Sequence, residues 1–203
     1  REQLLDKNPC VGVKCLKEKP RNRICTHEEF EALKAELKGD AKDIVTIAYY
    51  TGMRFGEIVG LEWNRVDFKN RLLHLRGVDT KNGEPRKVPF LSRAVGEIFE
   101  RRGGNPRRIH GRVFRVKSVR NVFKRACKRL GIKNLRFHDF RHTAATNLRK
   151  AGVDTATVMK ICGWKSVAMF LRYNEVDDSD LERASAAIAQ VEGKLSKSEA
   201  VRD

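Results

Sequence analysis

Residues 138–173 carry the densest set of groups able to handle a phosphate. His138-Asp139-Phe140-Arg141-His142-Thr143 opens the stretch, Cys162-Gly163-Trp164 lies within it, and Arg172-Tyr173 closes it. A step of three puts His138 and Arg141 on one helix face. Trp164 stands twenty-three residues beyond Arg141, and Tyr173 nine beyond Trp164, so only a tertiary fold could bring them together. Cleaving a phosphodiester without a metal requires a nucleophile, positive charge on the non-bridging oxygens, an acid for the leaving oxygen and exclusion of water. Arginine suits the second task because its planar fork makes bidentate contacts to phosphate. Each well-placed donor of this kind lowers a barrier by about 3 kcal/mol. A tyrosine can attack phosphorus and conserve the bond energy in a phosphotyrosine. A histidine can take its proton, whereas an indole N–H can only donate. Asp177, Asp178 and Asp180 are crowded but read as a helix N-terminus rather than a Mg²⁺ site, so no metal or other cofactor is expected.

Each of these residues has a bland reading on its own. Trp164 would be core, Tyr173 an ordinary half-exposed tyrosine and His138 a helix cap or a buried histidine. Arg54 would be a cation resting on helix-end carbonyls. Their joint occurrence carries the functional reading.

The elements that must position them are mostly helices. Residues 1–25 lack periodicity, hold Pro9, Gly12 and Pro20, and read as a linker from a missing N-terminal part. Thr26-His27-Glu28-Glu29 is a capping box that starts a helix to about Lys38, ended by Gly39. A second helix runs from about Ala41 to Tyr50, and a short one follows that buries Phe55, Ile58 and Val59. Arg54 stands at their junction, with Glu57 three residues on, placed to hold its guanidinium. Residues 71–76 and 86–90 read as strands of a small antiparallel sheet, joined across Asn82-Gly83, a strong hairpin signal that puts Lys81 at the tip. From there Lys81 could protonate a leaving 5′ oxygen; by default it is a solvated turn residue. A helix over about 92–102 buries Val95, Ile98 and Phe99, and one over about 118–130 turns Val119, Val122, Phe123 and Ala126 inward. The outer face of the latter carries Arg120, Lys124, Arg125, Lys128 and Arg129, a stripe suited to DNA phosphates or to plain solvation. Helices from His138, from Asp154 to about Ile161, a short one to about Leu171 and a final amphipathic one over 178–191 complete a mainly α fold with a small antiparallel sheet.

The totals agree. The chain has 203 residues and 40% apolar content, enough for one domain with a real core. Forty-three Lys and Arg against 26 Asp and Glu leave a net charge of +17, which points first to nucleic acid. An anionic membrane ranks lower, since no basic helix with a bulky apolar face stands out. Five cysteines without a C-x-x-C pattern read as reduced thiols. No apolar run approaches the ~18 residues of a membrane span, and no signal peptide opens the chain, so an intracellular protein is expected.

At these residues the chain resembles the tyrosine recombinase, or phage integrase, family. Thr51-Gly52-Met53-Arg54-Phe55-Gly56-Glu57 is similar to the family's first arginine box, and Thr80-Lys81-Asn82-Gly83 with Val88-Pro89 to its lysine hairpin. His138-Asp139-Phe140-Arg141-His142-Thr143 resembles the second box; Gly163-Trp164-Lys165-Ser166 and Arg172-Tyr173 resemble the last two. One departure is Trp164, where most members carry histidine and some tryptophan. The donor role survives that change and proton transfer does not, which moves proton acceptance to His138, with His142 a weaker candidate.

The resemblance implies a tyrosine recombinase catalytic-domain fold over 26–191, with 192–203 a tail. It implies a site-specific recombinase in which Arg54, Arg141 and Trp164 hold the scissile phosphate of double-stranded DNA, Glu57 orients Arg54, and Tyr173 forms a 3′-phosphotyrosine. It also implies homo-tetramers that exchange the C-terminal helix, accessory DNA-bending proteins and a bacterial cytoplasmic, nucleoid-associated setting. Two rival readings are a type IB topoisomerase and a DNA-binding domain that has lost turnover.

Overall fold

In a computed structural model, the described residues are 11–13, 21–80, 83–103, 110–171, and 178, 181, 182, 184–189 and 192. The fold is mainly α with a small antiparallel sheet, as expected. Helices α1 (His27–Glu36), α2 (Gly39–Thr51) and α3 (Phe55–Val59) lead into strands β1 (Val66–Asp67), β2 (Leu72–Leu75) and β3 (Arg86–Pro89). Helices α4 (Arg93–Gly103), α5 (Arg120–Arg129), α6 (Asp139–Lys150), α7 (Thr155–Cys162) and α8 (Val167–Leu171) follow.

The capping box forms as the sequence predicts: the Thr26 side chain accepts from the Glu29 N–H at 3.2 Å, and Glu29 accepts from the Thr26 N–H at 3.1 Å. Gly39 does not end α1. The helix closes at Glu36 on an extended Leu37, and Gly39, with φ +55°, is the first residue of α2. The apolar α2 is buried on nearly every side. It packs against α1, α4 and α6, and Phe30 stacks on Tyr49 with ring centroids 3.7 Å apart. Near its start the buried Asp43 accepts from Arg101 and Arg102 of α4 at 2.6–2.8 Å, which ties these helices together by charge.

The sheet has order β1-β2-β3, with Leu73 opposite Val88 and Leu75 opposite Arg86. The two-residue β1 escaped the sequence reading because a strand that short has no periodicity to detect. The link from Leu75 to Arg86 runs through the hairpin signal, where the Gly83 N–H donates to the Thr80 carbonyl at 3.2 Å. It contains a 3₁₀ turn at Gly77–Asp79, and the Thr80 hydroxyl donates within it to the carbonyls of Gly77 or Glu84 at 3.0 and 2.9 Å. Lys81 and Asn82 lie outside the described residues.

On α5, Val119, Phe123 and Ala126 face inward, but Val122 is exposed. A step of three from Val119 to Val122 overshoots the narrow apolar stripe, which continues through Phe123. Helix α6 lies between α2 and α7, and α7 in turn packs on β3. That arrangement stacks the starts and ends of several elements at one place. Cys25, Cys127 and Cys162 are buried free thiols; Cys10 and Cys15 lie outside the described residues. Near the C-terminus, the described residues within 178–192 are helical and exposed, and they include the apolar Leu181 and Ile188. Among the described residues, no helix is long and apolar enough to cross a membrane.

Candidate active site

Arg54 is the N-cap of α3, a position fixed by how α2 ends. Gly52 closes α2 in the left-handed region (φ +63°), and a Cβ there would come within 3.1 Å of Ala144 Cβ on α6. Glycine thus lets α2 and α6 touch just before Arg54. Glu57, in the first turn of α3, accepts from the Arg54 backbone N–H at 2.7 Å and from its guanidinium at 2.9 Å. The side chain of Glu57 is 2% exposed and that of Arg54 19%. The sequence expectation that Glu57 holds Arg54 therefore has its geometry.

Arg141 lies one turn into α6 and is buried. Its guanidinium donates to the Gly52 carbonyl at 2.9 Å, to the Cys162 carbonyl and, at 3.4 Å, to that of Gly163. These carbonyls solvate the cation without cancelling its charge. Burial, together with the positive charge of Arg54, pulls the Arg141 guanidinium down to about 10, so it remains a cation at neutral pH. The turn after α7 supplies two of the three carbonyls, again through a left-handed glycine, Gly163 at φ +66°.

Trp164 follows directly. Its ring lies 5.3 Å from the Arg141 guanidinium carbon, near-parallel to His142 at 6.5 Å and edge-on to Phe170 at 6.2 Å. It is both a core residue and a neighbour of the arginine. His138 caps the start of α6, is exposed, and sits edge-on to His142 with centroids 5.4 Å apart. His142 is buried, and burial, aided by the His138 charge, pushes it down to about 4. At neutral pH it is an uncharged ring within the packing.

The start of α6 is held from outside. Asp139 accepts from the Arg136 N–H at 2.7 Å and from the Arg21 guanidinium at 2.8–3.2 Å, while the Cys25 N–H donates to the Thr143 hydroxyl at 2.9 Å. Residues 21–25 therefore dock on the helix that carries His138 and Arg141.

Arg54, Glu57, His138, Arg141 and Trp164 thus meet around α3, α6 and the turn after α7. Tyr173 and Arg172, like Lys81, lie outside the described residues. Arg120 and Lys124 line a groove with Phe55, Arg136 and Phe137, which flank Arg54 and His138; Arg125 and Lys128 are exposed on the same helix but do not line it. Among the described residues, no group of three or more His, Cys, Asp or Glu gathers as a metal site.

The sequence reading missed Arg86. It is buried at the start of β3, donates to both oxygens of Glu57 at 3.0 and 2.7 Å, and gives Nε–H to the Ile161 carbonyl at 3.0 Å. A signal was available. Arg86 is in phase with Val88 on the inward face of β3, and a cation on an apolar face requires a carboxylate partner. Burial pushes the Glu57 carboxyl up, but the hydrogen bonds and charge of Arg86, and then those of Arg54, outweigh it and leave it below its ordinary value.

A model of the Phage integrase family matches residues 23–180. The integrase of Salmonella phage P22 is 27% identical over 206 residues, an alignment that takes in 94% of this chain and 53% of that protein. The chain therefore spans about half the length of that relative. The shufflon-specific DNA recombinase of Escherichia coli is 35% identical over 136 residues, covering 66% of this chain and 34% of that protein. Among solved structures, the catalytic domain of bacteriophage HP1 integrase is similar with TM-score 0.65 and 25% identity, covering 82% of this chain and 95% of that one. The Tn1549 transposon integrase in complex with transposon right end DNA shares the fold with TM-score 0.68 at 22% identity, covering 91% of this chain and 72% of that one.

Proposed function

The chain belongs to the phage integrase family, and on that premise we propose that it is the catalytic part of a site-specific DNA recombinase. The observation that carries this reading is that Arg54 and Arg141 lie close enough for their charges to interact, with Trp164 against Arg141 and, among the described residues, backbone carbonyls accepting from Arg141. A phosphodiester placed there meets two guanidinium groups whose charge is not used up by carboxylates. Arg54 and Arg141 would bind the non-bridging oxygens, with the Trp164 indole as a further donor.

Tyr173 is the nucleophile in this reading. Its oxygen bonds to phosphorus, the P–O5′ bond breaks, and the DNA is left joined to the protein through a 3′-phosphotyrosine. The tyrosine proton goes to His138, which is exposed at the start of α6, and Lys81 supplies a proton to the departing 5′ oxygen. Attack by a second DNA 5′ hydroxyl reverses these steps and completes strand exchange. Arg120 and Lys124, which line the groove beside Phe55 and Phe137, would contact the flanking duplex, and Arg125 and Lys128 would extend that basic surface. The exposed Leu181 and Ile188 support a C-terminal helix that docks on another copy in a DNA-bound tetramer. Residues 21–25 dock on α6 and so belong with the domain; the stretch ahead of them would be the link to a further DNA-binding part, with DNA-bending proteins as helpers and the bacterial nucleoid as the setting.

The test does not need the target site in advance. Purified protein is mixed with a random-sequence library of nicked duplexes, and covalent adducts are trapped and sequenced. Wild type should enrich one sequence as an adduct resistant to denaturant, and Tyr173→Phe should give none while binding DNA as before. Adducts that survive Tyr173→Phe would sink the assignment.

A further inference from the structure

We propose that Arg86 is a positioning residue which neutralises Glu57, so that the charge of Arg54 stays available to the substrate. The inference rests on the reading of Arg54 and Arg141 as phosphate ligands. Each oxygen of Glu57 has two donors. One accepts from the guanidinium of Arg54 at 2.9 Å and of Arg86 at 3.0 Å; the other accepts from the Arg54 backbone N–H and from Arg86, both at 2.7 Å. Arg86 makes the bidentate pair and Arg54 a single side-chain contact. The two cations also differ in exposure, 6% for the Arg86 side chain against 19% for Arg54. Two arginines thus share one carboxylate. The buried one takes the fork-to-fork geometry, and the surplus positive charge falls on the one that faces outward.

Without Arg86 the same carboxylate would be matched by Arg54 alone. A phosphate would then compete with Glu57 for that guanidinium, in a buried site where the competition is strong. Arg86 also reaches the other arginine. Its Nε–H holds the Ile161 carbonyl, one residue before the Cys162 carbonyl that accepts from Arg141. A Cβ at Gly163 would lie 3.0 Å from Arg86 Nη1, so the carbonyl cradle of Arg141 is moulded on this side chain. One guanidinium therefore sets the charge of Arg54 and the frame of Arg141 without a place at the substrate itself.

The test follows the guanidinium ¹⁵N–¹H signals of Arg54 and Arg141 while inorganic phosphate is titrated. Arg86→Met should weaken phosphate by about tenfold, because Glu57 then cancels Arg54. The double variant Glu57→Gln with Arg86→Met removes both charges and should return to within about threefold of wild type. A merely structural Arg86 predicts the opposite, with the double variant at least as weak as the single one, and that outcome overturns the proposal. So does an Arg86→Met protein that binds phosphate as wild type does. Should Arg86→Met not fold, Glu57→Gln decides: it removes the anion that Arg86 neutralises, so phosphate affinity at or above that of wild type supports the proposal and a loss of about tenfold overturns it. If phosphate moves neither arginine signal in wild type, the phosphate-ligand reading fails and takes this inference with it. A wild type that binds and a variant that binds equally well defeat the inference alone.

Discussion

Among the described residues, two clusters of arginines and carboxylates on either end of α2 differ in stoichiometry. Between α2 and α4, Arg101 and Arg102 meet Asp40 and Asp43, two cations against two anions. Around α3, α6 and α7, Arg54, Arg86 and Arg141 gather with Glu57, three cations against one anion. The first cluster is balanced and ties one helix to another. The second is held in place by backbone carbonyls and a single shared carboxylate, and it keeps positive charge in a buried place. Keeping such charge costs stability that a balanced cluster would retain. That cost is what an anion-binding site needs, because a preorganised cation only helps a transition state if nothing else has used it.

The comparison can be broken most directly at its two centres. Arg141→Lys keeps the cation and loses the fork that spans the Gly52 and Cys162 carbonyls, so adduct formation should fall about a hundredfold or more. Arg101→Lys in the balanced cluster should leave adduct yield within about twofold, and an equal loss at both sites would erase the distinction. Stability should respond the other way. Asp43→Ala removes the buried anion that Arg101 and Arg102 share and leaves Arg102 with Asp40 alone, and urea unfolding should show a loss of about 2 kcal/mol with adduct chemistry preserved in the folded fraction.

His142 sharpens the contrast by pH. Its folded value lies at about 4, below the ordinary histidine value, so the unfolded chain binds the extra proton between the two. Stability from this group is therefore complete above the ordinary value, falls as pH drops towards 4, and is flat below it. The loss should be about 3 kcal/mol relative to a His142→Asn chain measured at the same pH values. The smallest effect is expected at the groove. Lys124→Ala should reduce the salt dependence of DNA binding by about one unit of slope, with adduct chemistry at saturating DNA unchanged.

Much of this was legible in the residues. The helix starts at Thr26 and Asp154 were readable because a capping side chain and its acceptor are near neighbours in sequence. The pairing of Glu57 with Arg54 was readable for the same reason, a three-residue step on one helix turn. The failures share the opposite cause. Gly39 looked like a stop and is a start, because a left-handed glycine is equally at home in a helix end and in the tight link to the next helix. Val122 was read as inward and is exposed, because the apolar stripe of α5 continues through Phe123 instead.

The helical and strand periods, the excess of positive charge and the identity of the groups that could handle a phosphate were all readable from the residues, since these depend on residue type and local spacing. Only the tertiary structure decided which cations keep their charge. The inward phase of Arg86 and the three-residue step from Arg54 to Glu57 are local signals of pairing, but they do not say which of Arg54, Arg86 and Arg141 stays available. That difference is a matter of which carbonyls and carboxylates arrive from elsewhere in the chain: Gly52 and Cys162 for Arg141, Glu57 for Arg86. Packing sets those partners over separations of tens of residues, and in a low-dielectric interior the partners fix the chemistry.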